Sequence, residues 1–278
     1  MIAVTVLVLV AVADLVRKVP AVQALRRGAW WVGAAVLVVA AALVLGAGVP
    51  LLVALGAAAV AGAWSLTMPV QGPGESRRLW PALVLAVVLV VGALAPTREL
   101  TGPFVRAWAR TSLGSGTAAV SVEVALGVIA VVLALTRTAN VVTRAALARA
   151  RREDAGASSD DAETTRPQPA VGGWRLKVRG RDVATVVRAS SSDTATGPLL
   201  RGGRLIGPLE RLLILTLGLA GVYPVIAAVL AAKGIVRFPE ISADRARGTK
   251  AEEFLIGSLV SWTTAGAGVL LVRLLLHG

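Results

Sequence analysis

The chain has 278 residues, 56% of them hydrophobic, with a mean hydropathy of +0.75, a net charge of +13 and no cysteine. A soluble domain of this length does not carry such long apolar runs. The absence of cysteine excludes disulfides, thiolate nucleophiles and Cys-ligated metal, and the single histidine, His277, excludes His pairs and multi-His metal sites. Carboxylate-only sites remain possible. The positive balance fits Lys and Arg gathered in the cytoplasmic loops of a membrane protein, where they set topology and meet anionic lipid, better than it fits nucleic acid.

Apolar runs approaching 20 residues match a hydrocarbon core of roughly 30 Å. They predict an all-α, polytopic membrane bundle of about seven transmembrane helices with a disordered cytoplasmic linker. The chain divides into an N-terminal membrane region (1–152), a polar linker (153–201) and a C-terminal membrane region (202–278).

Residues 1–16 are apolar except for Asp14, and Arg17 and Lys18 follow. A cleavable signal carries its positive charge before the apolar run, so this reads as an uncleaved first helix with its N-terminus outside. Asp14 lies near the cytoplasmic end, within reach of Arg17 or Lys18. Interfacial Trp30 and Trp31 introduce a second span over 32–45. A turn at 46–50 leads to a third span over 51–66, thinned by Gly56, Ala57, Ala58, Ala59, Ala61, Gly62 and Ala63, which permit close helix approach. The loop QGPGESRR has two glycines but no following Gly-Lys-Ser/Thr, so it is not a phosphate-binding loop. No cofactor motif is found elsewhere.

A fourth span over 80–94 ends at Pro96. Residues 97–116 interleave Phe104, Val105, Trp108 and Leu113 with Arg106 and Arg110, the pattern of a short amphipathic helix at the outer interface. The fifth span, 117–135, holds Glu123 about two turns in. A carboxylate at that depth is costly without a partner, which makes it a candidate functional residue, with an ion pair to a loop arginine as the structural alternative. A basic helical tract follows over 137–152. Residues 153–170, EDAGASSDDAETTRPQPA, then read as linker without periodicity. Residues 174–187 alternate weakly enough to form a small β-hairpin that is not stable alone.

The residue-specific signal concentrates in 202–264. The sixth span is expected over 212–232, with Glu210 and Arg211 at one mouth and Lys233 and Arg237 at the other, four apart on one face. Pro224 must kink or end this helix. In a single crossing, Glu210 and Lys233 stand about 35 Å apart and face opposite waters; in a re-entrant hairpin they share one side. Span length favours the single crossing. With seven spans and the N-terminus outside, inner loops and ends hold 21 of the 29 Lys and Arg residues, and the C-terminus is cytoplasmic. The last span covers about 254–276. Gly257, Ser261 and Ala265 recur on one packing face, and Glu252 and Glu253 sit at its N-terminal end, where the helix dipole favours carboxylates or where they pair with Lys233 or Arg237.

Gly203-Arg204-Leu205-Ile206-Gly207, Leu209-Glu210-Arg211, Ala231-Ala232-Lys233, Arg237-Phe238, Ala251-Glu252, Leu255-Ile256-Gly257 and Ser261 together resemble the C-terminal signature of the DUF3307 family of bacterial membrane proteins. The family pattern is GxxIGxLER, AAKxxxRF and AExxLIGTLxS; here Ser258 replaces Thr and Glu253 replaces an aromatic. The resemblance covers roughly the last quarter of the chain. It implies a place in a bacterial plasma membrane and no particular chemistry.

Two functions are open at this stage. One is a transport or permeation component in which Glu123, Glu210, Arg211, Lys233, Arg237 and Glu252 meet a charged solute. The other is a non-catalytic anchor or assembly subunit that docks a cytoplasmic protein or anionic lipid through its basic face. No paired carboxylates, His or Cys motif supports an enzyme.

Overall fold

A computed structural model describes residues 1–19, 28–68, 79–96, 99–111, 120–160, 174–178, 181–186, 203–243 and 249–277. Its elements in chain order are α1 (Ile2–Val16), α2 (Gly28–Ala42) continuing into a π-turn (Leu43–Ala47), α3 (Leu51–Thr67), α4 (Trp80–Leu94), and the short α5 (Pro103–Trp108). Then follow α6 (Val122–Thr136), α7 (Thr138–Asp160), strands β1 (Trp174–Val178) and β2 (Arg181–Val186), α8 (Gly203–Leu219), α9 (Tyr223–Ala243) and α10 (Thr249–His277).

The packed region is all helical. Among the described residues, three helices are long and apolar enough to cross a membrane: Ala29–Ala47, Val122–Arg151 and Ala251–His277. The helices α1, α3 and α4 are apolar but shorter, at 15, 17 and 15 residues.

The centre of the bundle is α1. It is hydrophobic all round, and a helix of that kind must be enclosed on every side, by protein or by lipid. Here protein encloses it. Ala3 to Ala11, Ala13 and Asp14 are all buried, and α2, α3, α4 and α6 pack around it. On α3 the buried residues are Ala54, Ala57, Ala61 and Trp64, a stripe at helical spacing. The alanines therefore make the close contact expected of this thin segment. Gly56 and Gly62 face open space.

The α6–α7 pair is nearly continuous, interrupted at Arg137 (φ −119°, ψ −67°). Two corrections to the sequence expectation belong here. Glu123 is not two turns inside a span. Ser121 caps α6, its side chain accepting from the Val124 N–H at 3.2 Å, so Glu123 sits in the first turn. The linker also begins later than residue 153, because α7 runs on to Asp160. Extending an existing helix through EDAGASSD avoids the cost of nucleation, although Gly, Ser and Asp are not strong helix formers. The rest of the expected linker lies outside the described residues, apart from β1 and β2. These pair antiparallel, with Trp174 opposite Val186 and Val178 opposite Arg181.

The main correction concerns the expected sixth span over 212–232. The chain does not cross there once; it turns. The helix α8 stops at Leu219, Gly221 takes a left-handed conformation (φ +76°), and α9 starts at Tyr223 with Pro224 in its first turn. The Val222 N–H donates to the Leu217 carbonyl at 3.0 Å and the Gly221 N–H to the Gly218 carbonyl at 3.3 Å. This is a Schellman stop, which satisfies the last carbonyls of α8. Proline at the start of the next helix costs no hydrogen bond. Pro224 thus begins a helix instead of kinking one.

Helix α10 runs parallel to α8 and antiparallel to α6–α7. Of its small-residue face, Ser261 and Ala265 are buried and Gly257 is half-buried against Leu147; Ser258 and Val272 are also inside. At Gly218 an added Cβ would lie 2.7 Å from the Val269 Cγ2, so α8 and α10 touch at backbone distance. The Arg273 guanidinium donates to the Gly218 carbonyl at 3.0 Å and lies over the Tyr223 ring, 5.7 Å from its centroid. The hairpin turn is therefore level with the C-terminal end of α10.

Candidate functional site

Arg211 and Glu210 are neighbours on α8 and point to different surroundings. Arg211 is 2% exposed. Its Nε donates to the Ser261 Oγ at 2.8 Å, Nη1 to the Leu135 carbonyl at 3.1 Å and to the Asn140 Oδ1 at 2.7 Å, and Nη2 to the Thr143 Oγ1 at 3.0 Å. One planar fork thereby binds α8 to the α6–α7 junction and to α10. All four acceptors are neutral. The Leu135 carbonyl is available because the break at Arg137 interrupts the helix ladder there.

Glu210 faces α9 and α10. The Lys233 Nζ donates to both of its oxygens, at 2.8 and 2.5 Å, and the Trp262 Nε1 donates to Oε1 at 2.8 Å. The Lys233 ammonium also lies over the Trp262 ring at 5.6 Å and the Phe254 ring at 5.9 Å. The hairpin makes this possible; a single crossing would have kept Glu210 and Lys233 apart. The lysine is partly exposed and the carboxylate nearly buried.

The other expected site residues do not join this cluster. Arg237 is exposed on α9, and Glu252 is exposed in the first turn of α10. The acid that does pair is Glu253, with Arg151 of α7: Arg151 Nε and Nη2 donate to its two oxygens at 2.6 and 3.1 Å. Glu253 thus pairs with neither Lys233 nor Arg237. Glu123 lies at the opposite end of the bundle, beside a small cavity lined by Met1, Ala93, Leu274 and Leu275. That cavity also places both chain ends at one end of the bundle.

A second buried polar group surrounds Asp14, which is 0% exposed. The Trp64 Nε1 donates to its oxygens at 3.1 and 3.2 Å, and the Arg17 Nη1 donates to Oδ1 at 3.2 Å. Arg17 also donates to the Met68 carbonyl. Burial lowers the Arg17 guanidinium from its ordinary value, against the pull of Asp14. Among the described residues, no group of three or more His, Cys, Asp or Glu could hold a metal ion.

Sequence reasoning missed Asn140, Thr143 and Trp262 as partners of Arg211 and Glu210, and Trp64 as the partner of Asp14. The available signal was placement: Trp64 and Asn140 lie about one turn from a span end, Thr143 and Trp262 about two. The chain matches no family model, no curated protein and no solved structure.

Proposed function

We propose that the chain is a non-catalytic polytopic membrane anchor or assembly subunit, which holds a cytoplasmic partner or anionic lipid at its basic face. The observation that carries this reading is the fate of Arg211. It is 2% exposed and its guanidinium is committed to four groups of the same chain. A transport residue must meet its solute, and Arg211 has no surface with which to do so. Glu210 and Lys233 are likewise paired within the chain. Of the expected permeation cluster, Arg211 locks helices together, and the Glu210–Lys233 pair closes α9 onto them.

The topology proposed with this reading counts α1, α2, α3, α4, α6–α7 and α10 as crossings and α8–α9 as a hairpin spanning the same thickness. Both chain ends lie outside, and 137–205 and 244–248 are cytoplasmic. Lys233, Arg237, Arg245, Arg247 and Lys250 then join the inner face, and only Arg98, Arg106, Arg110 and Arg273 remain outside. This improves the positive-inside bias over the seven-span arrangement. The DUF3307-like signature supports a bacterial plasma membrane.

The test separates locking from transport. Glu210→Gln and Lys233→Met should each lower the Tm in detergent by several degrees. Wild-type stability in both variants, with loss of a cellular phenotype, would sink the anchor reading, because the pair would then serve a process and not the fold.

A further inference from the structure

Three groups converge on the Lys233 ammonium: a carboxylate and two aromatic faces. This is how a protein receives an organic ammonium ion, by charge, hydrogen bonds and ring quadrupole together. We infer that Glu210, Phe254 and Trp262 form a primary-ammonium receptor whose resident occupant is the chain's own Lys233. A free amine or an aminophospholipid headgroup takes the lysine's place when α9 moves aside.

The receptor side is rigid without α9. Arg211 is next to Glu210 in sequence, Ser261 is next to Trp262, and Arg211 and Ser261 are hydrogen bonded to each other at 2.8 Å. That contact fixes the register of α8 against α10. The Glu210 Oε1 and Trp262 Nε1, 2.8 Å apart, are thereby brought together by α8 and α10 themselves. Phe254 lies two turns earlier on α10.

The occupant side is loosely held. Along α9 nearly every residue is exposed or half-buried, including Ile235, Val236 and Phe238. Lys233 and Tyr223, the latter beneath Arg273, attach α9 to α8 and α10. A receptor that keeps its shape, with a ligand carried on a weakly packed arm, is suited to exchange. The site cannot stay empty, because a nearly buried carboxylate without a cation is unfavourable. A primary ammonium satisfies both carboxylate oxygens; a tetramethylammonium ion has no N–H to donate.

The experiment is chemical rescue. Lys233→Ala removes the side-chain amine and most of its stem. Tens of millimolar n-butylammonium should raise the Tm of this variant in detergent by a few degrees, saturating with concentration, and tetramethylammonium should not. The shift should be absent in Glu210→Gln/Lys233→Ala. No butylammonium shift in Lys233→Ala, or an equal shift in the double variant, overturns the inference. Reconstitution in phosphatidylethanolamine rather than phosphatidylcholine vesicles distinguishes the sources: stabilisation of Lys233→Ala by the former alone identifies the headgroup. If Lys233→Ala does not fold, exchange is read in the otherwise unaltered chain from spin labels at Ile235→Cys and Leu259→Cys. The lysine competes there at an effective concentration on the order of millimolar. Butylammonium should widen the label separation; an unchanged separation overturns the inference. The anchoring role is carried by Arg211 and is tested separately by its own substitutions, so failure of the exchange leaves that reading standing.

Discussion

Arg211 shows what a buried cation requires at the scale of one residue. Its charge is balanced by no carboxylate on its own guanidinium, only by oxygen dipoles from Ser261, Leu135, Asn140 and Thr143. Arg211→Met should therefore strand four acceptors and cost roughly 3 kcal/mol, read as a fall in Tm in detergent. Arg211→Lys keeps the charge but replaces a fork with a point donor, and should recover only part of that loss. The importance of this residue was legible in the sequence, because an arginine beside a glutamate at a span end is conspicuous. Its partners were not. Asn140 and Thr143 lie in a tract that reads as cytoplasmic and basic, and only the packing of α7 against α10 brings them to the same depth as Ser261. Trp64 was hidden in the same way: an indole near a span end reads as an interfacial anchor, and nothing local indicates that Asp14, 50 residues earlier, is its acceptor.

At the scale of the element, the α8–α9 hairpin depends on Gly221. Its φ of +76° is strained for any residue with a Cβ, so Gly221→Ala should cost about 1 kcal/mol. Gly218→Ala tests a different contact. Its Cβ would meet Val269 at 2.7 Å, and overpacking of that kind costs roughly 1–3 kcal/mol. Thermal melts of the two variants should therefore both fall, and reducing the side chain at position 269 (Val269→Ala) should rescue only Gly218→Ala. The stop signal was present in the sequence as Gly221 followed three residues later by Pro224, the usual order for one helix ending and the next beginning. Span length argued the other way, because a single apolar run of 21 residues fits a bilayer without a turn. The turn permits the Glu210–Lys233 ion pair, a tertiary contact that span length alone does not reveal.

For the whole molecule, the reversal at Gly221 fixes which surfaces share a side. Single cysteines at Gly203 and Ser242 should be labelled by an impermeant maleimide from one face of the membrane, and a cysteine at His277 from the other. The chain has no native cysteine, so each label reports one position. Labelling of Gly203→Cys and Ser242→Cys from opposite faces would restore the single crossing. The all-helical class was legible from composition, because apolar runs of this length leave no backbone solution but helices. Which helix lies at the centre was not. The helices α1, α2, α3 and α4 are apolar on all sides, so periodicity cannot distinguish a helix wrapped in protein from one wrapped in lipid.

The central position of α1 also has a consequence for the order of assembly. Everything that encloses α1 is translated after it. Trp64 emerges 50 residues later than Asp14, and α6 later still, an interval of several seconds to tens of seconds at ordinary elongation rates. Throughout that interval Asp14 has only Arg17 and Lys18 for company, and the helix stands in lipid as a template awaiting its walls. Asp14→Leu should thus ease the early insertion of α1 while weakening the finished bundle, so that a larger yield of inserted chain comes with a lower melting temperature.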